Sequence, residues 1–111
     1  MPYALKYALL VAILFVAPGC QTDIQTGIDS ANDLLYKKQY VESERLYRKL
    51  LKRLNSDGDL SERQEEQRLL VLDRLGQINT LYLRDYNQAI ADYSSLVKLY
   101  PKREQAFAAR A

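Results

Sequence analysis

Between Tyr86 and Tyr100 the apolar and aromatic positions fall at Tyr86, Ala89, Ile90, Tyr93, Leu96, Val97 and Tyr100. Steps of three and four keep these side chains on one face of a 3.6-residue helix. Pro101, which lacks a backbone N–H and biases its predecessor out of helical geometry, stops the run. Shifted back by 46 residues the pattern returns as Tyr40, Ser43, Glu44, Tyr47, Leu50, Leu51 and Leu54. Glu44 stands where the later copy has Ile90, so the first copy is expected to be less deeply covered there. Tyr40, Tyr47, Tyr86 and Tyr93 are expected in the core, and Tyr36, Tyr82 and Tyr100 are candidates for exposure.

The segments before these two helices also correspond, at a shift of 47: Ile28, Ala31, Leu34 and Leu35 against Leu75, Ile78, Leu81 and Tyr82, with Asn32 against Asn79. Each copy therefore reads as helix, tight turn, helix, the turns being Tyr36-Lys37-Lys38-Gln39 and Leu83-Arg84-Asp85. Between the copies, Asn55 to Asp59 reads as a loop. Ser61 followed by Gln64 is a capping-box start. The helix it opens is expected to run from about Glu62 to Leu83, with its charged first two turns projecting into solvent. A repeated two-helix unit predicts an all-α solenoid, because each unit buries its apolar face against the next.

The segment RDYNQAIADYSSLVKLYP resembles the second helix of the tetratricopeptide repeat, with aromatic Tyr86, small Ala89, aromatic Tyr93, apolar Leu96 and Pro101. The first copy, with Ser43 in the small place, resembles it less closely. The resemblance implies a short superhelix: repeat one at 27–55, an insertion at 56–62, repeat two at 63–101 and a partial third repeat at 102–111. The third would open near Glu104, with Phe107 in the aromatic place and Ala111 in the small place. A chain cut short within a longer repeat array is favoured over a half-helix cap. First helices line the inner face in this family, so Asn32, Leu35, Tyr36, Asn79 and Tyr82 are the candidate partner-binding residues. The family's carboxylate clamp is not implied, since Ile28 and Leu75 stand where it uses Lys or Arg.

The N-terminus has a different pattern. Tyr7 to Ala17 is uninterruptedly apolar after a segment carrying only Lys6, and Pro18, Gly19 and Cys20 follow. Eleven helical residues reach roughly 16 Å, about half the hydrocarbon core of a bilayer. A charged start, a short apolar middle and small residues read as a secretory signal. With the chain's one Cys at the junction, residues 1–19 resemble a bacterial lipoprotein signal peptide. That resemblance implies cleavage before Cys20 and acylation of its sulfur and amine, with 20–26 as a polar tether. A plain secretory signal or an uncleaved anchor is the alternative. Gln21, in place of the Asp that commonly retains such proteins at the inner membrane, leans toward the outer membrane and its periplasmic face.

Composition narrows the chemistry. The 111 residues contain no His, no Trp and one Cys, which excludes a Cys/His zinc site, a Ser-His-Asp triad and an internal disulfide within the chain. A formal net charge of +2 without a dense basic block argues against nucleic acid. The Asp57–Asp59 cluster lacks the order of an EF-hand loop, since Gly58 would place Arg53 at its first position. No pair of carboxylates is set in an evident pocket. The chain is expected to need no cofactor and to be no enzyme.

The expectation for function is a lipid-anchored envelope scaffold that binds partner proteins through helical repeats. The lipidated Cys and the YPKREQAFAARA junction look like lipoproteins of outer-membrane β-barrel assembly, and other periplasmic repeat proteins of cell division and pilus assembly share that junction. The alternatives are a structural module that self-associates through an open repeat end, with Leu50, Leu51, Leu54 and the unfinished last helix supplying apolar surface, a truncated fragment of a longer repeat lipoprotein, and a degenerate product without function.

Overall fold

A computed structural model describes residues 23–102 of the chain; Cys20, residues 1–19 and the expected third repeat from Glu104 lie outside them. The described residues are all-α: α1 Asp23–Tyr36, α2 Tyr40–Ser56, α3 Glu62–Leu81 and α4 Tyr86–Leu99. Each helix packs chiefly on the next, and α1 also touches α3. Short connections fold successive helices back on one another. The architecture is two helical hairpins side by side, α1–α2 and α3–α4.

The helix boundaries have local causes. Ser61 Oγ accepts from the Gln64 N–H at 3.2 Å and the Gln64 side chain accepts from the Ser61 N–H at 2.9 Å, so α3 opens on the expected capping box. Such a cap is worth about 1 kcal/mol. Just past the end of α1, the N–H groups of Lys38 and Gln39 donate to the Leu35 and Leu34 carbonyls at 3.0 and 2.9 Å. That double bond pattern needs a left-handed residue just past the helix, and Lys38 supplies it with φ 63°. Arg84 takes φ 55° in the second turn.

The core is a cluster running from Ile28 and Ala31 of α1 through Tyr47, Leu50 and Leu54 of α2 to Leu72, Leu75 and Ile78 of α3 and Leu96 of α4. Close approach depends on small residues. Ser43 and Ala89 are both buried, and Ser43 Oγ donates to the Ala31 carbonyl at 2.8 Å. A Cβ on Gly27 would lie 2.5 Å from the Leu50 side chain, and one on Gly76 would lie within the Tyr93 ring.

The structure corrects several expectations. Residues 23–26 of the expected tether form the first turn of α1: Ile24 packs on the core and Gln67 Nε2 donates to Gln25 Oε1 at 3.2 Å. α2 continues to Ser56, two residues into the expected loop, and α3 stops at Leu81 rather than Leu83. The first turns of α3 do not simply project into solvent, because Tyr100 returns from the end of α4 to pack against the core. Its hydroxyl donates to the Glu65 carboxylate and accepts from Arg68 Nε at 2.9 Å, with the Arg68 guanidinium 5.6 Å from the ring centroid. Tyr100 is accordingly half-buried rather than exposed. Of the four expected core tyrosines only Tyr47 is fully buried; Tyr40 and Tyr93 are half-buried and Tyr86 is exposed.

Ionisation follows this packing. The hydrogen bond from Tyr100 holds the Glu65 carboxyl below the usual range. Burial raises the Tyr47, Tyr93 and Tyr100 phenols above their ordinary value. A raised phenol stabilises the fold fully below the unfolded value of about 10 and loses that contribution as pH rises through the folded value. The urea midpoint is therefore expected to hold through pH 9 and to fall above about pH 10. Absorbance of phenolate at 295 nm followed against pH should show late titration that coincides with unfolding, and Tyr47→Phe should flatten the alkaline fall.

The turn supplies a second prediction. Lys38 bears a side chain in a backbone conformation that glycine adopts freely, so Lys38→Gly is expected to raise stability by up to about 1 kcal/mol in urea titration. A loss of stability would mean that the lysine side chain holds the turn.

Candidate docking surface

Both tight turns emerge at one end of the molecule, and four tyrosines gather there. Tyr36 closes α1, Tyr40 opens α2, Tyr82 follows α3 and Tyr86 opens α4. The Tyr40 and Tyr82 rings stack at 4.1 Å between centroids with their planes 5° apart, joining the two hairpins at this end. Stacked aromatic pairs add about 0.5–1.5 kcal/mol. Tyr36 is 88% exposed and Tyr86 is 54% exposed, with Leu81 and Val41 also exposed nearby in sequence. Single exposed apolar residues are ordinary, whereas aromatic side chains grouped on rigid helix ends offer apolar area with a polar tip.

The charged groups at this end do little to cover the rings. Lys37 pairs with Asp33 at 2.9 Å with both side chains largely in solvent, a contact worth at most about 1 kcal/mol. The Asp85 carboxylate, though exposed, accepts from the Gln88 N–H at 3.2 Å and caps α4. Its cap function explains an acid directly before the first helical residue.

The five residues singled out from sequence do not form one surface. Tyr36 and Tyr82 are exposed at the turn end, as expected. Asn32 is exposed one turn earlier on α1, and its Oδ1 accepts from the Tyr47 hydroxyl at 3.4 Å. Leu35 packs against the core instead of lining a groove. Asn79 is the clear correction: it is 1% exposed and faces no solvent. Its Nδ2 lies 3.0 Å from the Leu75 carbonyl, 3.1 Å from a Glu44 carboxylate oxygen and 3.4 Å from an Asp92 carboxylate oxygen. Cys20 lies outside the described residues.

What buries Asn79 is an ion pair between the hairpins that pattern reading missed. Arg48 of α2 donates from both terminal nitrogens to the Asp92 carboxylate of α4, at 2.5 and 3.0 Å, and to Glu44 at 2.9 Å. Gln88 Nε2 adds a bond to Asp92 at 3.2 Å. The Asp92 side chain is 4% exposed. Burial works against the Arg48 charge, but the hydrogen bonds it donates to Asp92 and Glu44 outweigh it and hold the guanidinium above its ordinary pKa. The available signal was an acid, Asp92, next to Tyr93 on the buried side of an otherwise uncharged helix face. Nothing in the spacing named Arg48 as its partner, 44 residues away.

Catalytic geometry is not what this arrangement offers: the clustered carboxylates are saturated by an arginine and two amides. Among the described residues no group of three or more His, Cys, Asp or Glu side chains is placed to hold a metal ion. No described helix is long and apolar enough to cross a membrane. Compared with protein-family models, curated proteins and solved structures, the chain finds no match.

Burial separates the structural residues from the surface ones. Asn79→Ala removes one donor from each of two carboxylates that keep Arg48 and leaves a gap in a buried site, and is expected to cost about 1–3 kcal/mol in urea unfolding. Tyr36→Ala removes a side chain held almost wholly in water and should change stability by less than about 0.5 kcal/mol.

Proposed function

We propose that the chain is a lipid-anchored envelope scaffold in which helix-turn-helix repeats of the tetratricopeptide type bind partner proteins. The observation that carries this reading is the group of exposed tyrosines on rigid helix ends, Tyr36, Tyr82 and Tyr86, with the Tyr40–Tyr82 stack fixing the ends together. Tyrosine suits an interface because it presents large contact area with few rotamers to freeze. The small residues Ser43 and Ala89, 46 positions apart and both buried, support the repeat reading.

The address rests on the N-terminal pattern. An acylated Cys20 would precede Asp23 by three residues, and Asp23 opens α1 at the end opposite the turns. Fourteen helical residues span about 21 Å. An anchor there directs the tyrosines away from the bilayer, toward a periplasmic partner. Two or more acyl chains hold such a protein stably where one chain does not.

Two measurements on the full-length chain in a Gram-negative host test the two halves separately. The intact mass of the membrane-extracted wild type is expected to match a chain starting at residue 20 with added acyl mass, and Cys20→Ala is expected to lose it. A chain that keeps Met1, or is cut elsewhere without lipid, removes the anchor. A photo-crosslinking amino acid at position 36 is expected to give a discrete adduct with an envelope protein, and one at position 52, exposed on α2, none. No adduct at 36, or equal adducts at both, removes the docking role.

A further inference from the structure

The two tight turns repeat one another at alternate positions. Tyr36, Lys38 and Tyr40 stand 46 residues before Tyr82, Arg84 and Tyr86, so each turn reads tyrosine, cation, tyrosine. In both turns the cation is the residue with positive φ, 63° at Lys38 and 55° at Arg84. Glycine or asparagine takes that conformation with less strain than a long side chain does. A cation can serve the C-terminal end of a helix dipole, but that effect is confined to the last turn, and neither α1 nor α3 has a basic residue there. Lys38 and Arg84 come after the helices have ended, are exposed, and have no side-chain partner among the described residues. The acids at this end are otherwise engaged: Asp33 holds Lys37, Asp85 caps α4, and Glu42 complements the dipole from the first turn of α2. Fold stability therefore gives no reason for a cation at either strained position.

We infer that the two turns together hold an extended acidic segment of a partner protein, Lys38 and Arg84 each meeting a carboxylate and the tyrosines taking the apolar or proline residues between. The inference rests on the docking reading of this end and adds to it the chemistry of the partner. The Tyr40–Tyr82 stack brings the turns together, with Lys38 two residues before one ring and Arg84 two residues after the other. Charges met at two points fix the register of a bound chain, and tyrosine supplies the contact area between them. The protein's own segments outside the described residues do not match this site, since they hold one acidic side chain, Glu104, against Lys6, Arg103 and Arg110. A second copy matches poorly too, because the exposed loop Asp57-Gly58-Asp59 has no apolar side chain to set on the rings. A bilayer is disfavoured because two free cations add too little attraction to hold a protein end on an anionic surface.

The test pans the immobilised full-length chain, in detergent, against phage displaying random twelve-residue peptides. Enriched peptides are expected to carry two or more acids together with aromatic, aliphatic or proline residues. A fluorescein-labelled copy of the most enriched peptide, read by anisotropy, should bind in the range of about 1–100 μM. Lys38→Gln with Arg84→Gln keeps both side chains near their length and should weaken binding about tenfold, as should changing the peptide's acids to their amides. Lys49→Gln with Lys52→Gln, the same loss of charge at exposed positions of α2, should leave it unchanged. Circular dichroism should show all variants equally helical. No enrichment, enriched peptides without acids, or equal binding by the two double variants overturns the inference. So does a fluorescent amino acid at position 36 that is quenched by spin-labelled phosphatidylglycerol in nanodiscs holding the chain, because that end would then rest on a bilayer. In cells, the envelope adduct at position 36 is expected to fall away in the Lys38→Gln, Arg84→Gln variant. An adduct undiminished there removes the acidic partner and leaves the docking surface standing, whereas no adduct in either chain removes both.

Discussion

The ion pair of Arg48 with Asp92 is the interaction on which the relation of the two hairpins depends. α2 and α4 are not neighbours in the chain, and the guanidinium spans between them with two donors on one carboxylate. A bidentate pair fixes distance and orientation together, which a patch of leucines does not. Its value lies more in geometry than in net stability, because desolvating Asp92 offsets much of the attraction. Glu44, Asn79 and Gln88 use the remaining lone pairs, and no buried side-chain nitrogen or oxygen among the described residues is left without a partner. With the hairpins held in this register, Tyr40 meets Tyr82 face to face and the turn end becomes a single surface.

Inside each hairpin the constraint is steric. Ser43, Ala89, Gly27 and Gly76 sit where a larger side chain would push helices apart, and bulky partners fill the space they leave. Tyr93 over Gly76 and Leu50 over Gly27 show the same solution with different residues. Dense packing of this kind transmits position, so the exposed aromatic ends stand on a rigid base. Tyr100 extends that rigidity to the chain's exit from α4 by seating its hydroxyl between Glu65 and Arg68.

The tyrosines at the turns have polar tips, as suits a contact that forms and dissolves. Lys38 and Arg84, set beside them in the two turns, have no side-chain partner among the described residues and add charge to that surface.

The four described helices, the tight turns, the capping box at Ser61 and the buried places of Ser43, Tyr47, Leu50, Ala89 and Leu96 were all legible in the sequence. Each depends on near neighbours in the chain: period, turn chemistry and a hydroxyl three residues from its N–H. Periodicity says which face of a helix is apolar, but not whether another helix arrives to cover it. For that reason Tyr86, Ile90 and Val97 read as core and stand in solvent, while Asn79 read as surface and is sealed beneath Arg48 and Asp92. The lean of α2 and α4 over α3, the pairing of residues 44 positions apart and the return of Tyr100 to Glu65 were decided by tertiary packing alone. Charge and hydroxyl partners at such separations are chosen by where the helices come to lie, and no local spacing along the chain encodes that choice.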